Sequence, residues 1–98
     1  MNILHTSLNS EKPAITSLMK SADFSQFVVA LAQGQVLAKH VTHQPTTFLL
    51  LSGRVRFTLP NEKHEFNTGD YFLIPVGELH EVLGLDQRNI FLITKWKE

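Results

Sequence analysis

The chain contains no cysteine. That excludes a disulfide frame, a thiolate nucleophile and thiolate ligation of a metal. It carries no net charge either, since nine Lys and Arg balance nine Asp and Glu. Nucleic acid and anionic membrane both demand a clustered positive field, so neither is expected as a partner. Long apolar runs are also missing. The longest, Phe27–Ala32 and Tyr71–Val76, fall far short of the roughly 20 residues that span a bilayer. Met1–Leu8 lacks the charged and apolar regions of a leader. A soluble, cytoplasmic protein is expected, and the absence of thiols suits a reducing compartment. No internal repeat, low-complexity segment or linker is visible.

What is present is the material for one small β domain. The 98 residues are 43% apolar, enough for a core. A chain this short buries only roughly two-thirds of its unfolded surface, so a second subunit would add useful stability. Turn residues recur at Gln33–Gln35, His43–Pro45, Ser52-Gly53, Pro60–Lys63, Asn67–Asp70, Pro75–Gly77 and Gly84–Asp86. Their spacing of roughly 8–10 residues is the rhythm of an antiparallel sandwich or barrel. Arg54–Leu59 alternates strictly, with Val55, Phe57 and Leu59 on one face and Arg54, Arg56 and Thr58 on a solvated one. Residues 27–31, 48–51, 71–74 and 90–93 are apolar on both faces. Such runs need cover on both sides, and exposing several would leave too large an apolar patch, so a homodimer is expected. Trp96, Tyr71 and the seven Phe are assigned to the core. Residues 14–20 read equally as a helix capped at Ser10 or as a strand.

Two spaced patterns carry more. The first is Gly34, His40, Thr42, Thr46, Gly53, and the second is Gly69, Pro75, Gly77, His80. In these residues the chain resembles the cupin family, and small single-domain cupins in particular. The match covers residues 34–84, about half the chain. The second pattern lacks only its final Asn, where Gly84 stands, and the first keeps both glycines and its leading His. The resemblance implies an all-β, antiparallel double-stranded β-helix, a small jelly-roll barrel. A single domain over 1–98 follows, with the barrel at 24–98 and residues 1–23 packing on it or on a dimer partner. Independently of any family, Gly69 suits a positive-φ hairpin turn, and Pro75 ends the strand before it.

The resemblance also implies a site. A full cupin site holds a divalent metal on three His and one Glu, donors suited to Fe, Mn, Ni, Cu or Zn. Here His40 and His80 match two ligand positions, while Thr42 and Thr46 replace a His and the Glu. His43 would supply a third ligand only if a bulge or the Pro45 turn shifted strand parity. The expected pocket comprises His40, Thr42, Thr46 and His80 with Phe48, Phe57 and Phe72. His5 and His64 are placed on the surface. Three functions compete. One is a metal-free module binding a small molecule in the barrel. The second is a metal-dependent enzyme, dioxygenase- or isomerase-like. The third is a metal-free enzyme with His40 or His80 as general base, ranked last because no matched Asp or Glu orients the imidazole.

Overall fold

The computed structural model describes residues 1–97. The expected barrel therefore ends one residue outside the described chain. Nine strands form: β1 (Ala14–Lys20), β2 (Phe24–Ala32), β3 (Val36–Val41), β4 (Thr46–Ser52), β5 (Arg54–Thr58), β6 (Lys63–Asn67), β7 (Tyr71–Ile74), β8 (Leu79–Gly84) and β9 (Arg88–Trp96). They make two antiparallel sheets that face each other, one in the order β1-β2-β9-β4-β7 and one in the order β3-β8-β5-β6. The fold is a double-stranded β-helix, and residues 14–20 resolve as its first strand.

Alternation sorts the side chains. Val29 and Leu31 of β2, Phe48 and Leu50 of β4, Val55 and Phe57 of β5, Val82 of β8 and Phe91 of β9 meet inside and are fully or almost fully buried. The other faces of β2 and β9 explain why those runs are apolar on both sides. Val28, Ala30 and Ile90 form a second buried cluster, packed by Ile3, Ala14, Leu18 and Leu51. The N-terminal segment is held over this face by Arg88, whose guanidinium donates to the carbonyls of Leu4 (2.7 Å) and Thr6.

One end of the barrel is closed by Asn89, which has no exposed surface. Its Oδ1 accepts from the backbone N–H of Arg54 (3.0 Å) and Asp86 (3.2 Å). Its Nδ2 donates to the carbonyls of Leu31 (3.1 Å) and Asp86 (2.9 Å). One amide thus ties β2, β5 and the turn before β9. Gly53 and Gly84 make room for it. A Cβ on Gly53 would stand 2.5 Å from Asn89 Oδ1, at a φ of +93° that side chains avoid, and one on Gly84 would stand 2.7 Å from Asn89 Nδ2.

Two placements differ from the sequence expectation. Tyr71 and Trp96 are not core residues, being 65% and 45% exposed. Their apolar neighbours in sequence fill the interior by alternation, which turns these two outward. His64 is not on a solvated turn. It belongs to β6 opposite Phe57, faces inward, and lies against Phe66 and Phe72 with ring centroids 5.5 and 5.2 Å away. Its Nε2 is buried without a hydrogen-bond partner and has the Glu62 carboxylate 3.3 Å away.

Candidate functional site

The site lies at the barrel end away from Asn89, where β3 pairs with β8. Between Leu37 and His40 the register slips, so that Ala38 and Lys39 together oppose the single residue Glu81. This bulge changes parity and turns Leu37 and His40 to the same inward side. His40 then stands directly across from His80, with ring centroids 4.1 Å apart. Phe57 stacks on the His80 ring at 5.4 Å and 11° and fixes its plane.

Hydrogen bonds set the tautomers. His40 Nδ1 donates to the Ala38 carbonyl at 2.9 Å, and His80 Nδ1 to the Glu78 carbonyl at 3.3 Å. A carbonyl oxygen only accepts, so each Nδ1 carries the hydrogen. In the neutral rings both Nε2 atoms are then bare acceptors, and they face each other at 3.0 Å. Two opposed lone pairs repel unless a proton, a donor or a cation stands against them.

His80 is almost fully buried, at 3% exposure. Burial, followed by the neighbouring His40 imidazole, pushes its pKa below the ordinary 6.5, with Lys95 acting in the same direction and the Glu78 carbonyl opposing. The folded chain therefore refuses a proton that the unfolded chain accepts below pH 6.5. The stability this contributes is complete above 6.5 and declines as pH falls through 6.5 toward the folded value. Denaturant midpoints measured from pH 8 to 5 should show a decline of up to about 1.4 kcal/mol per pH unit from this group, absent in His80→Gln. Equal pH slopes in both proteins would refute the assignment.

The pair closes a small apolar hollow of about 20 Å³, walled by Leu37, Phe57, Ile74, Phe91 and Ile93, with Lys95 at its edge. His80 also lines an open cleft of about 280 Å³ with Lys39, Thr58, Leu59, Pro60 and Leu79.

Of the residues expected in the pocket, the structure brings His40, His80 and Phe57 together. Thr42 and Thr46 are buried nearby but do not line either space. Their hydroxyls bond to each other at 2.8 Å and to the Gln44 carbonyl, bracing the β3–β4 turn. Phe48 and Phe72 are packing residues behind Phe57, with centroids 5.6 and 5.1 Å from its ring. His43 is exposed in the β3–β4 turn and stays outside the site. The parity shift that would have brought it in occurs upstream, at Ala38 and Lys39, and serves His40 instead. Lys95 is the residue that sequence reasoning missed. Its signal is the inward series Phe91, Ile93, Lys95, in which a lysine occupies a core-facing place.

A transition metal needs more donors than the pair provides. Among the described residues no group of three or more His, Cys, Asp or Glu side chains converges. The hydroxyls of Thr42 and Thr46 are neutral and already engaged. Two imidazole nitrogens fit such a metal in type and fall short in number. Among the described residues, no helix is long and apolar enough to cross a membrane.

Comparison with known proteins agrees with this architecture. A family model described as "Cupin domain" matches residues 27–90. No curated protein matches the sequence. Among solved structures, a cupin superfamily protein from Desulfitobacterium hafniense is similar at a TM-score of 0.85 and 17% identity, over 95% of this chain and 84% of that one. A conserved protein of unknown function from Streptococcus pyogenes is similar at 0.82 and 20%, over 94% and 80%. KdgF from Halomonas sp. is similar at 0.82 and 18%, over 100% and 92%. At these identities the likeness is one of fold.

Proposed function

The chain belongs to the cupin family, and on that premise we propose that it binds a small molecule at the cleft beside the His40–His80 pair, with a metal site reduced to those two imidazoles. The observation that carries this is the pair of Nε2 acceptors, pinned from behind by backbone carbonyls and opposed at 3.0 Å. A ligand donor placed against them relieves their repulsion, and the apolar walls of the cleft take its body. The test is a small-molecule fragment screen followed by amide NMR, with wild type beside the His40→Ala/His80→Ala double variant. Hits should map to β3 and β8 and lose at least about tenfold in affinity in the variant, since each anchor contributes roughly 1 kcal/mol. Hits of equal affinity in both proteins would sink the proposal.

A second reading, a metal-dependent dioxygenase- or isomerase-like enzyme, draws support from the same geometry. Nδ1 bonded to a carbonyl orients an imidazole for ligation through Nε2. Elemental analysis of protein made without an affinity tag separates the two. The enzyme reading requires near-stoichiometric transition metal after supplementation, and less than about a tenth of an equivalent eliminates it.

We further propose a homodimer that pairs the outer faces of the five-stranded sheets. Leu92, Leu49 and Tyr71 form one cross-strand row there, and Gln26, Thr94, Thr47 and Leu73 the next. Neither row contains a charged residue, and Tyr71 and Leu73 are 65% and 63% exposed. A twofold interface sets the same patch against itself, so a charge-free patch leaves no like charges opposed.

A further inference from the structure

We propose that the His40–His80 pair holds one long-lived water molecule in the hollow, with one O–H donated to each Nε2. The inference goes beyond ligand binding at the cleft and stands without it. It names the occupant whose place a ligand's donor takes over.

The acceptors come first. Each Nδ1 donates to a carbonyl, so the neutral rings present two bare Nε2 acceptors, 3.0 Å apart. The ring centroids are 4.1 Å apart, little farther than the nitrogens themselves. The rings are therefore tilted off the line between their Nε2 atoms rather than set end to end. Both rings line the hollow, so one occupant can lie against both. The other polar side chain on its lining is Lys95, which has no acceptor to offer. The side chains of the hollow thus ask for two donated hydrogens.

Size and charge then select the donor. The hollow has a volume of about 20 Å³. Roughly 10–15 Å³ holds one water that finds at least two polar partners, and a ligand with a carbon skeleton needs far more. A cation would add its charge to that of Lys95, which already acts on His80. Water is neutral, has one heavy atom and carries two O–H donors. An oxygen about 2.9 Å from both nitrogens closes a nearly equilateral triangle on their 3.0 Å separation. Each O–H bends roughly 20° from the line to its nitrogen, which keeps the angle at hydrogen near about 150°. Leu37, Phe57, Ile74, Phe91 and Ile93 form the apolar walls and compete for neither hydrogen. Those walls and the near-complete burial of His80 slow the exchange of this water with solvent.

The test uses the full chain at pH 8 after chelation of any metal. Cross-relaxation from the water resonance is read by NMR at Hδ2 of each histidine, the ring hydrogen on the Nε2 side, away from the exchanging Nδ1–H. Opposite signs in the laboratory and rotating frames mark a water that stays bound, and equal signs mark fleeting hydration. Wild type should show opposite signs at both rings. His40→Leu removes one acceptor and should abolish the signal at His80. Leu37→Phe, which fills the hollow from its wall, replaces that variant if it does not fold. Equal signs or no cross-peak at either ring of wild type would overturn the proposal, as would an undiminished signal at His80 in the variant. Ligand binding is judged separately by the fragment screen, so the two readings fail independently.

Discussion

Asn89→Ala is expected to lower the thermal midpoint by about 15–30 °C, corresponding to about 4 kcal/mol in a domain of this size. The side chain spans four hydrogen bonds to the backbone, reaching the end of β2, the start of β5 and the turn at Asp86. Removing it strands buried donors and acceptors, each costing roughly 1–3 kcal/mol when left unpaired. A cavity is added at a fully buried position. The damage falls where the two sheets meet, so the unfolding transition should broaden as well as shift. Differential scanning calorimetry decides it, and a midpoint within about 4 °C of wild type, less than 1 kcal/mol, would show that the tie is dispensable.

Leu73→Lys is expected to dissolve the proposed dimer, raising its dissociation constant by at least about a thousandfold, or about 4 kcal/mol. The substitution places an ammonium in a row whose members are Gln26, Thr94 and Thr47. Twofold symmetry counts it twice, and each buried, unpaired charge costs several kcal/mol. The monomer should keep its fold, because Leu73 points away from the barrel core and is exposed in the single chain. Sedimentation velocity across a concentration series reads the outcome. A wild-type chain that sediments as a monomer at every concentration would refute the interface, as would a variant that remains dimeric.

Much of the fold is legible in the amino-acid sequence. Turn residues at regular intervals mark the strand ends, and the strict alternation of Arg54–Leu59 places Val55 and Phe57 inside, where they lie. The two Gly/His/Pro spacings lead to the barrel, and the family match over residues 27–90 agrees. Parity at the site is what residue types do not reveal. The bulge at Ala38 and Lys39 leaves no mark in composition, yet it decides that His40 faces His80 and His43 does not. His64 misleads because Lys63 and Glu65 flank it, although Phe66 two residues on shares its inward face. Spacing alone brings Thr42 and Thr46 near the pocket. Their mutual hydrogen bond, visible only in three dimensions, turns them to bracing the turn. Lys95 escapes notice because a lysine close to a chain end reads as solvated, whereas counting by twos from Phe91 sets it inside.

The physical picture is of a barrel with two unlike ends. At one, a single asparagine satisfies every backbone group it meets and closes the structure. At the other, two imidazoles are held with their Nε2 atoms facing each other at 3.0 Å, and a lysine lines the hollow beside them. With both Nδ1 atoms donating to carbonyls, the neutral rings set two lone pairs against each other, an arrangement that a donor from outside relieves. The stacking of Phe57 on His80 links the two regions, since the ring that orients the imidazole is also the centre of the aromatic core.

The central claim is that both histidines present bare Nε2 atoms to the same point. Long-range proton–nitrogen correlation of the imidazoles at pH 8 measures this directly. Hydrogen on Nδ1 in both rings, with ligand-induced shifts confined to the two Nε2 atoms, is the result the account predicts. Hydrogen on Nε2 of either ring in the free protein would contradict it.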